Sequence, residues 1–290
     1  MIPTLSVLVT VFNRAAYLAA CLDSVLASTW QDLEVVVVDD GSTDGSVNIA
    51  AAYAARDGRV RIYRNERNLG DYPNRNRAAG LAKGKYLKYV DADDLIYRHS
   101  LQVMVEAMEL YPDAGLGLSW NVVDPATPYP IHSSPSEVHA AHFLGRSPLG
   151  VGPSAAIIRR AAFEEVGGFS GRQFLGDTEL WLKLTSRWAM VSMPPALVWW
   201  RRHAGQQMAL EEDCPEVLTA RFLMQASWLR NGGVLAAEVR GLAESRLRQH
   251  HARRILALAL RQRQPAMAWR LFRASGLGLG ELLRGVGKYR

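Results

Sequence analysis

The chain has 290 residues, 49% hydrophobic and 21% charged, enough to bury the core of one large domain or of one domain with an appendage. No apolar run approaches the length of about 18 residues that spans a bilayer, residues 1–4 lack the features of a signal peptide, and Cys21 and Cys214 suit neither a disulfide framework nor a metal site; a polytopic membrane protein and a disulfide-rich secreted module are excluded, and a reducing, cytoplasmic setting is expected. The net charge of +6 is uneven: residues 219–290 hold 14 Arg and Lys against 3 Glu, while residues 1–218 hold 20 basic against 25 acidic side chains.

Residues 6–11 read as a buried strand, and Asn13 as the N-cap of the helix after it. In that helix Leu18, Cys21, Leu22, Val25 and Leu26 recur with a 3.6-residue period. Residues 33–38 form a second, almost wholly apolar strand, as parallel strands covered on both faces do. It runs into Asp39, Asp40 and Gly41, a turn, with Asp44 placed to cap a helix carrying Val47, Ile49, Ala50 and Tyr53. Residues 60–63 are a third strand. Pro73 suits the first turn of the next helix and Gly84 its end.

Residues 86–90 are strand formers and lead into three carboxylates, Asp91, Asp93 and Asp94. In open α/β sheets ligands bind past the carboxyl ends of strands. Carboxylates crowded there repel one another unless a hard cation such as Mg²⁺ or Mn²⁺ joins them; the bland alternative is an acidic surface turn.

Leu101, Met104, Val105 and Met108 define a further helix, and residues 115–120 a short strand. Residues 121–150, rich in Pro, Ser and His, have no clear period and read as a functional loop or lid. Strand character returns at 154–158, Gly167 and Gly168 end a short helix, and residues 178–187 read as a helix with Leu180, Trp181 and Leu184 inward. After Pro215 only helical stretches follow: 216–230, 234–249, 251–263 and 265–275. Strands alternating with helices predict an α/β fold with a mostly parallel sheet. The expected division is an α/β domain over 1–215, in two halves (1–95 and 96–215), followed by a basic helical extension over 216–290.

Over residues 4–205 the chain resembles glycosyltransferase family 2, inverting nucleotide-sugar transferases of GT-A fold. Residues 7–13 look like the family's first strand and nucleotide-binding turn, and residues 38–44 like its second. Asn68 and Gly70, followed by Asn74, Arg75 and Asn76, look like its N-x-G…A-R-N helix start. Asp91 and Asp93 match its metal-binding D-x-D, and residues 176–181 its E-D-x-D-L-W segment. Two departures stand out: Asn74 where the family usually has Ala, and Gly176 where it usually has Glu. Arg187 and Trp188 resemble the R-W of processive synthases, but Leu184 replaces the Gln of that motif, so a processive synthase is not expected.

The resemblance implies roles. Asp93 would bind a divalent cation, Mn²⁺ or Mg²⁺, with His203 near the metal and diphosphate, and Asp91 would act through water or the ribose. Asp40 would accept the N3–H of uracil or thymine, with Thr10, Asn13 and Arg75 completing the nucleotide pocket; an exposed helix Arg is the alternative for Arg75. Asp177 would take the acceptor hydroxyl's proton, a task that suits a positioned carboxylate, although a carboxylate before an apolar helix is also an ordinary N-cap. Glu179 and Trp181 would lie on the acceptor side. Trp199 and Trp200 are core residues or offer a ring to a sugar face.

The partners implied are a UDP- or dTDP-linked sugar donor and a glycan or lipid-linked glycan acceptor, in bacterial cell-envelope or surface glycan synthesis. Nothing resembles a nucleic-acid motif. A sugar nucleotidyltransferase and a non-catalytic sugar-binding module on a transferase scaffold are the alternatives. The basic tail, where Trp269, Leu271 and Phe272 adjoin Arg270 and Arg273, has three readings: contact with an anionic membrane at the inner face of the cell membrane, a homodimer surface, or packing.

Overall fold

All seven residues of strand β2 (Leu33–Asp39) are buried, as expected of a strand with helices on both faces. In the computed structural model, which describes residues 2–119, 126–203, 214–231 and 233–286, β2 lies beside β1 (Leu5–Val11) near the middle of an eight-stranded sheet. The other strands are β3 (Val60–Arg64), β4 (Tyr86–Tyr89), β6 (Ala114–Ser119), β7 (Ile131–Ser133), β8 (Ala156–Arg159) and β9 (Ala189–Met193), in the order β3-β2-β1-β4-β8-β6-β9-β7. β5 (Leu95–Ile96) pairs separately with β10 (Val198–Trp199). The β1–β2, β1–β4, β2–β3 and β6–β9 pairs are parallel; β8 runs antiparallel to both β4 and β6.

Helices α1 (Ala15–Leu26), α2 (Ser46–Arg56), α3 (Asp71–Leu81), α4 (Ser100–Leu110), α6 (Arg160–Glu165) and α7 (Gly176–Thr185) belong to the same unit. Leu18, Leu22 and Val25 of α1 and Leu101, Met104 and Met108 of α4 are fully buried in the sheet's core, each such side chain contributing about 1.5–3 kcal/mol. Register matters for function. Val11 pairs with Asp39, Leu8 with Tyr89, and Val90 and Asp40 extend the ladder to Leu8 and Val11. Asp40 and Asp91 therefore emerge at one sheet edge, where the chain order switches direction about β1.

Two expectations need correction here. Gly84 does not end α3, which closes at Ala82; a Cβ on Gly84 would lie 2.6 Å from the Ser6 backbone nitrogen, so glycine serves a close approach of two chains. The segment after β6 is not irregular throughout: β7 and α5 (Pro135–Leu144) lie within it. Ser134 and Glu137 form a capping box there, with the Glu137 carboxylate accepting from Ser134 N at 2.8 Å. Residues 121–125 lie outside the described part. β9 and β10 were not foreseen.

The chain forms two compact units, Met1–Val138 with Pro148–Arg201, and His139–Ser147 with Arg202–Arg290. This differs from a single cut at 215. Within the second unit, His139 lies against Trp228, and His142 meets Gln225 at 3.2 Å, which accounts for residues 139–147 joining the helices. Those helices are α8 (Glu216–Asn231), α9 (Ala237–Leu260), α10 (Pro265–Ser275) and α11 (Leu279–Val286). The two helices expected over 234–263 are one, because no Gly or Pro interrupts residues 242–260 and His251, Ala252 and Ile255 bury one continuous stripe, with His251 stacked on Phe222 at 4.2 Å. Leu271 and Phe272, expected at an oil–water interface, instead lie in this unit's own core, while Trp269 stays exposed. Among the described residues no helix is long and apolar enough to cross a membrane.

Candidate active site

The loops after β1 and β2 are stitched together by side chains. Asn13 adopts φ +52°, a left-handed conformation that Asn tolerates better than most residues. Its Oδ1 accepts from Thr43 N at 2.9 Å, and its own N–H donates to Ser42 Oγ at 2.9 Å. Asn13 thus holds the second loop and is not the N-cap of α1. That helix start is satisfied from across the gap: Ala15 N donates to Asp44 Oδ2 at 3.0 Å, while Asp44 Oδ1 accepts from Ser46 N at 3.0 Å. One aspartate therefore serves the starts of two helices. Thr10, half-buried, sits one residue before the end of β1, opposite Val38.

Asp40 is buried, and both its oxygens are occupied. Oδ1 accepts from Asn65 Nδ2 at 2.5 Å and Leu69 N at 2.9 Å; Oδ2 accepts from Gly70 N at 2.9 Å. It fastens the loop that leads into α3. Asn74, the departure from the family's Ala, is part of the same buried network: it accepts from Asn65 Nδ2 at 2.9 Å and donates to the Val38 carbonyl at 3.1 Å. Nothing in the sequence pattern pointed to Asn65.

Arg75 is not an exposed helix residue. It is buried, with Nε on Asp71 Oδ1 at 2.8 Å and Nη2 on Asp91 Oδ1 at 2.7 Å, while its Nη1 has no partner among the described residues. Asp71, one helical turn before Arg75, was missed because a lone first-turn Asp reads as an ordinary dipole partner. Burial pushes the Asp91 carboxyl up, but the Arg75 guanidinium and its hydrogen bond outweigh this and hold it below the usual carboxylate range. Ser154 fixes the other side of the turn, its Oγ accepting from Asp91 N at 2.9 Å. Beneath it the wholly buried Lys88 ammonium bonds the carbonyls of Tyr89 and Ser154; burial lowers its pKa to about 7.

Asp177 occupies the first turn of α7 but does not cap it: the cap position is Leu175, with no side-chain bond. Asp177 Oδ1 is shut off from solvent and has no hydrogen-bond partner among the described residues, although part of the residue stays open, and a hydrogen bond from Tyr72 to the Asp177 side chain favours its charged form. Burial raises its pKa to about 7; Arg75 opposes the rise, while the charges of Asp71 and Asp91 add to it. Three carboxylates, Asp71, Asp91 and Asp177, thus act electrostatically on one guanidinium. A carboxylate with a free, desolvated oxygen and an elevated pKa has the properties of a general base.

Asp93 pairs with Arg14, Nε to Oδ2 at 3.0 Å. Asp94 closes a turn: its N–H donates to the Asp91 carbonyl at 2.9 Å, and its carboxylate accepts from Arg201 N at 3.1 Å. Burial and the Asp91 charge raise its pKa to about 7. The Arg201 guanidinium stacks between Trp199 and Tyr17, 4.8 and 5.1 Å from their ring centres; Trp199 and Trp200 are both partly exposed, not core. Among the described residues no three His, Cys, Asp or Glu side chains converge as a cage. Asp91 and Asp93 offer a two-carboxylate platform of hard oxygens, which fits Mg²⁺ or Mn²⁺ completing its shell with phosphate and water. His203 belongs to the second unit.

On the acceptor side, Glu179 is buried, its carboxylate bonded by Ser170 Oγ and 3.9 Å from Arg172 Nε. It secures the loop between α6 and α7. Trp181, placed on the acceptor side from sequence, is fully buried and donates Nε1–H to the Val151 carbonyl at 2.8 Å; it presents no face to an acceptor and is a core residue. Asn76 clamps the same loop from α3, donating to the Phe169 carbonyl at 2.8 Å and accepting from Phe169 N at 3.0 Å.

The profile described as "Glycosyl transferase family 2" matches residues 6–167. Glycosyltransferase GlyG of Streptococcus pneumoniae serotype 4 is 26% identical over 72% of this chain and 74% of its own length. The uncharacterized glycosyltransferase YibD of Escherichia coli is 41% identical over 93 residues, 32% of this chain and 27% of that protein. Among solved structures, S. aureus TarS 1–349 in complex with UDP-GlcNAc superposes with a TM-score of 0.73 at 19% identity, covering 94% of this chain and 81% of that one. The mannosyltransferase PcManGT of Pyrobaculum calidifontis, in complex with GDP-Man and Mn²⁺, gives 0.65 at 20% identity over 98% and 84%. The profile spans more than half of the chain and includes the strand ends that carry Asp40, Asp91 and Asp93, so the chain belongs to glycosyl transferase family 2 and is a glycosyltransferase of GT-A fold.

Proposed function

We propose that this glycosyltransferase is inverting and metal-dependent, moves a sugar from a UDP- or dTDP-linked donor to a hydroxyl of a glycan or lipid-linked glycan, and serves bacterial cell-envelope or surface glycan synthesis. The observation that carries the reading is the desolvated Oδ1 of Asp177, without a hydrogen-bond partner among the described residues and two positions before Glu179, which anchors the loop between α6 and α7. Asp177 takes the proton of the acceptor hydroxyl. The hydroxyl oxygen forms a bond to the sugar's anomeric carbon as the bond from that carbon to the diphosphate breaks, and the electron pair leaves with the nucleoside diphosphate. A divalent cation held by Asp93, with Asp91 acting through water or the ribose, would stabilise the charge on the leaving group.

Thr10, Asn13 and Asp40 line the nucleotide end, and Arg75 holds Asp91 in place. PcManGT's complex with Mn²⁺ supports the metal, and the UDP-GlcNAc complex of TarS supports a uridine donor. The second unit's basic helices hold the protein against an anionic membrane surface, on the cytoplasmic side, where a lipid-linked acceptor would lie. A thermal-shift panel of UDP, dTDP, GDP and CDP with Mn²⁺ tests the donor. Ligand at about 100 times its dissociation constant adds roughly 2.7 kcal/mol of stability, so UDP and dTDP should raise the melting temperature. A shift with GDP alone would overturn the donor assignment.

A further inference from the structure

Arg14 links two parts of the site that the proposed chemistry does not connect. It precedes α1 at the end of the turn after β1. Its Nη1 donates to the Asn13 carbonyl at 3.1 Å and the Phe12 carbonyl at 3.4 Å, and its Nε reaches across to Asp93 Oδ2 at 3.0 Å. Both partners are largely withdrawn from solvent, Arg14 being 28% and Asp93 13% exposed in their side chains. The turn's backbone is held from the other side by Ser46 Oγ, which accepts from Arg14 N, so the side chain extends from a fixed base.

We propose that Arg14 is the resident counter-cation of Asp93 and competes with the divalent metal for that carboxylate, giving way when the metal binds. The inference rests on the metal reading above and adds a residue to it. A metal ion bonded to a carboxylate oxygen at about 2.0–2.1 Å and a guanidinium on the same carboxylate repel each other by about 1 kcal/mol or more even at high dielectric, so each weakens the other's hold on Asp93. Arg14 therefore neutralises Asp93 in the metal-free protein and is released, still anchored to the Phe12–Asn13 turn, beside the place of the diphosphate.

Two measurements test this without using activity. In the first, Mn²⁺ is titrated into nucleotide-free wild-type protein and Arg14→Met, with free Mn²⁺ read by electron paramagnetic resonance. Removal of the competitor should tighten Mn²⁺ binding about two- to fivefold, the size of a partly exposed ion pair. Equal or weaker binding by a variant with wild-type circular dichroism and melting would overturn the proposal. In the second, the Arg14 Nε–H signal of ¹⁵N-labelled wild-type protein is followed during a Mg²⁺ titration. It should move or broaden as the bond to Asp93 is lost; a signal unmoved at saturating Mg²⁺ would overturn the proposal even if the variant does not fold. If wild-type protein binds neither ion with or without UDP, the metal reading itself fails, an outcome separate from normal wild-type binding that is insensitive to Arg14.

Discussion

The ring of Tyr72 fills the space that a side chain at position 176 would need: a Cβ on Gly176 would lie 2.6 Å from Tyr72 Cζ. Tyr72 is held there by stacking on Phe169, with ring centres 5.1 Å apart. The missing Glu at 176 is therefore matched by a bulky residue on another helix. Gly176→Glu should destabilise the protein by about 1–3 kcal/mol, the usual cost of overpacking. In combination with Tyr72→Ala it should cost less than the sum of the two single changes. Urea unfolding of the four proteins measures the coupling, and strict additivity would show that the contact is relaxed without cost.

Asp177 makes two opposite predictions, one for activity and one for stability. If it is the base, Asp177→Asn should lower transfer by roughly 10²–10⁴, and wild-type kcat/KM should rise with pH through about 7, the value to which burial pushes this carboxyl. For stability, a folded pKa raised from 3.8 to about 7 means that the folded state holds the proton more tightly than the unfolded one. Wild-type stability is then lost progressively as pH rises from about 4 to 7. Asp177→Asn should melt higher than wild type above pH 7, with the difference closing towards pH 4. Thermal melts of both proteins across that window, without metal, would settle the sign.

Asp40 separates two roles by a single measurement. Its three internal donors predict that Asp40→Asn, which presents an N–H where Leu69 N or Gly70 N also donates, costs about 1.5–3 kcal/mol of stability in the absence of any ligand. A carboxylate kept only to read a base would leave the unliganded stability unchanged and alter nucleotide affinity alone. Denaturation and calorimetry with UDP distinguish the two.

Asp93→Ala should abolish metal-dependent nucleotide binding while preserving the fold, since Asp93 lies in a turn whose backbone is held by Asp91, Asp94 and Arg201. Calorimetry with UDP, with Mn²⁺ and then with EDTA, checks it. Equal affinity in all conditions would remove Asp93 from the metal site.

The membrane proposal now rests on Trp269 and the net charge of the helices, because Leu271 and Phe272 are buried. Trp269→Ala should reduce co-sedimentation with anionic liposomes at low salt, and added salt should reduce it further for wild type. A truncation before α10 would unfold the second unit by removing core, and so would report on packing and not on membrane binding.

Strands β1, β2 and β4, helices α1, α2 and α4 and the carboxylates that end β2 and β4 were legible because their signals are local. Apolar runs, a 3.6-residue period and a change from Val or Tyr to Asp each occupy one window of sequence. The same holds for the family match, which follows motifs in chain order. The second unit shows where locality fails. Residues 234–263 carry weak helical signals throughout, and the single helix Ala237–Leu260 within them is fixed by the buried stripe that includes His251, stacked on Phe222.

Which side chains meet at the site was decided by tertiary structure alone. Asp44 looked like a cap for its own helix and caps α1 as well, 29 residues earlier. Arg75, Asp71, Asp91 and Asp177 come from three elements, and Oδ1 of Asp177 is desolvated because those elements exclude water from it. Trp181 and Glu179, part of one motif in sequence, are turned into the core and onto the α6–α7 loop. A sequence prescribes which groups an element carries and with what period. Which of them are desolvated, paired or left open depends on neighbours far along the chain, whose Coulomb and hydrogen-bond energies appear only when the sheet brings them within a few ångströms.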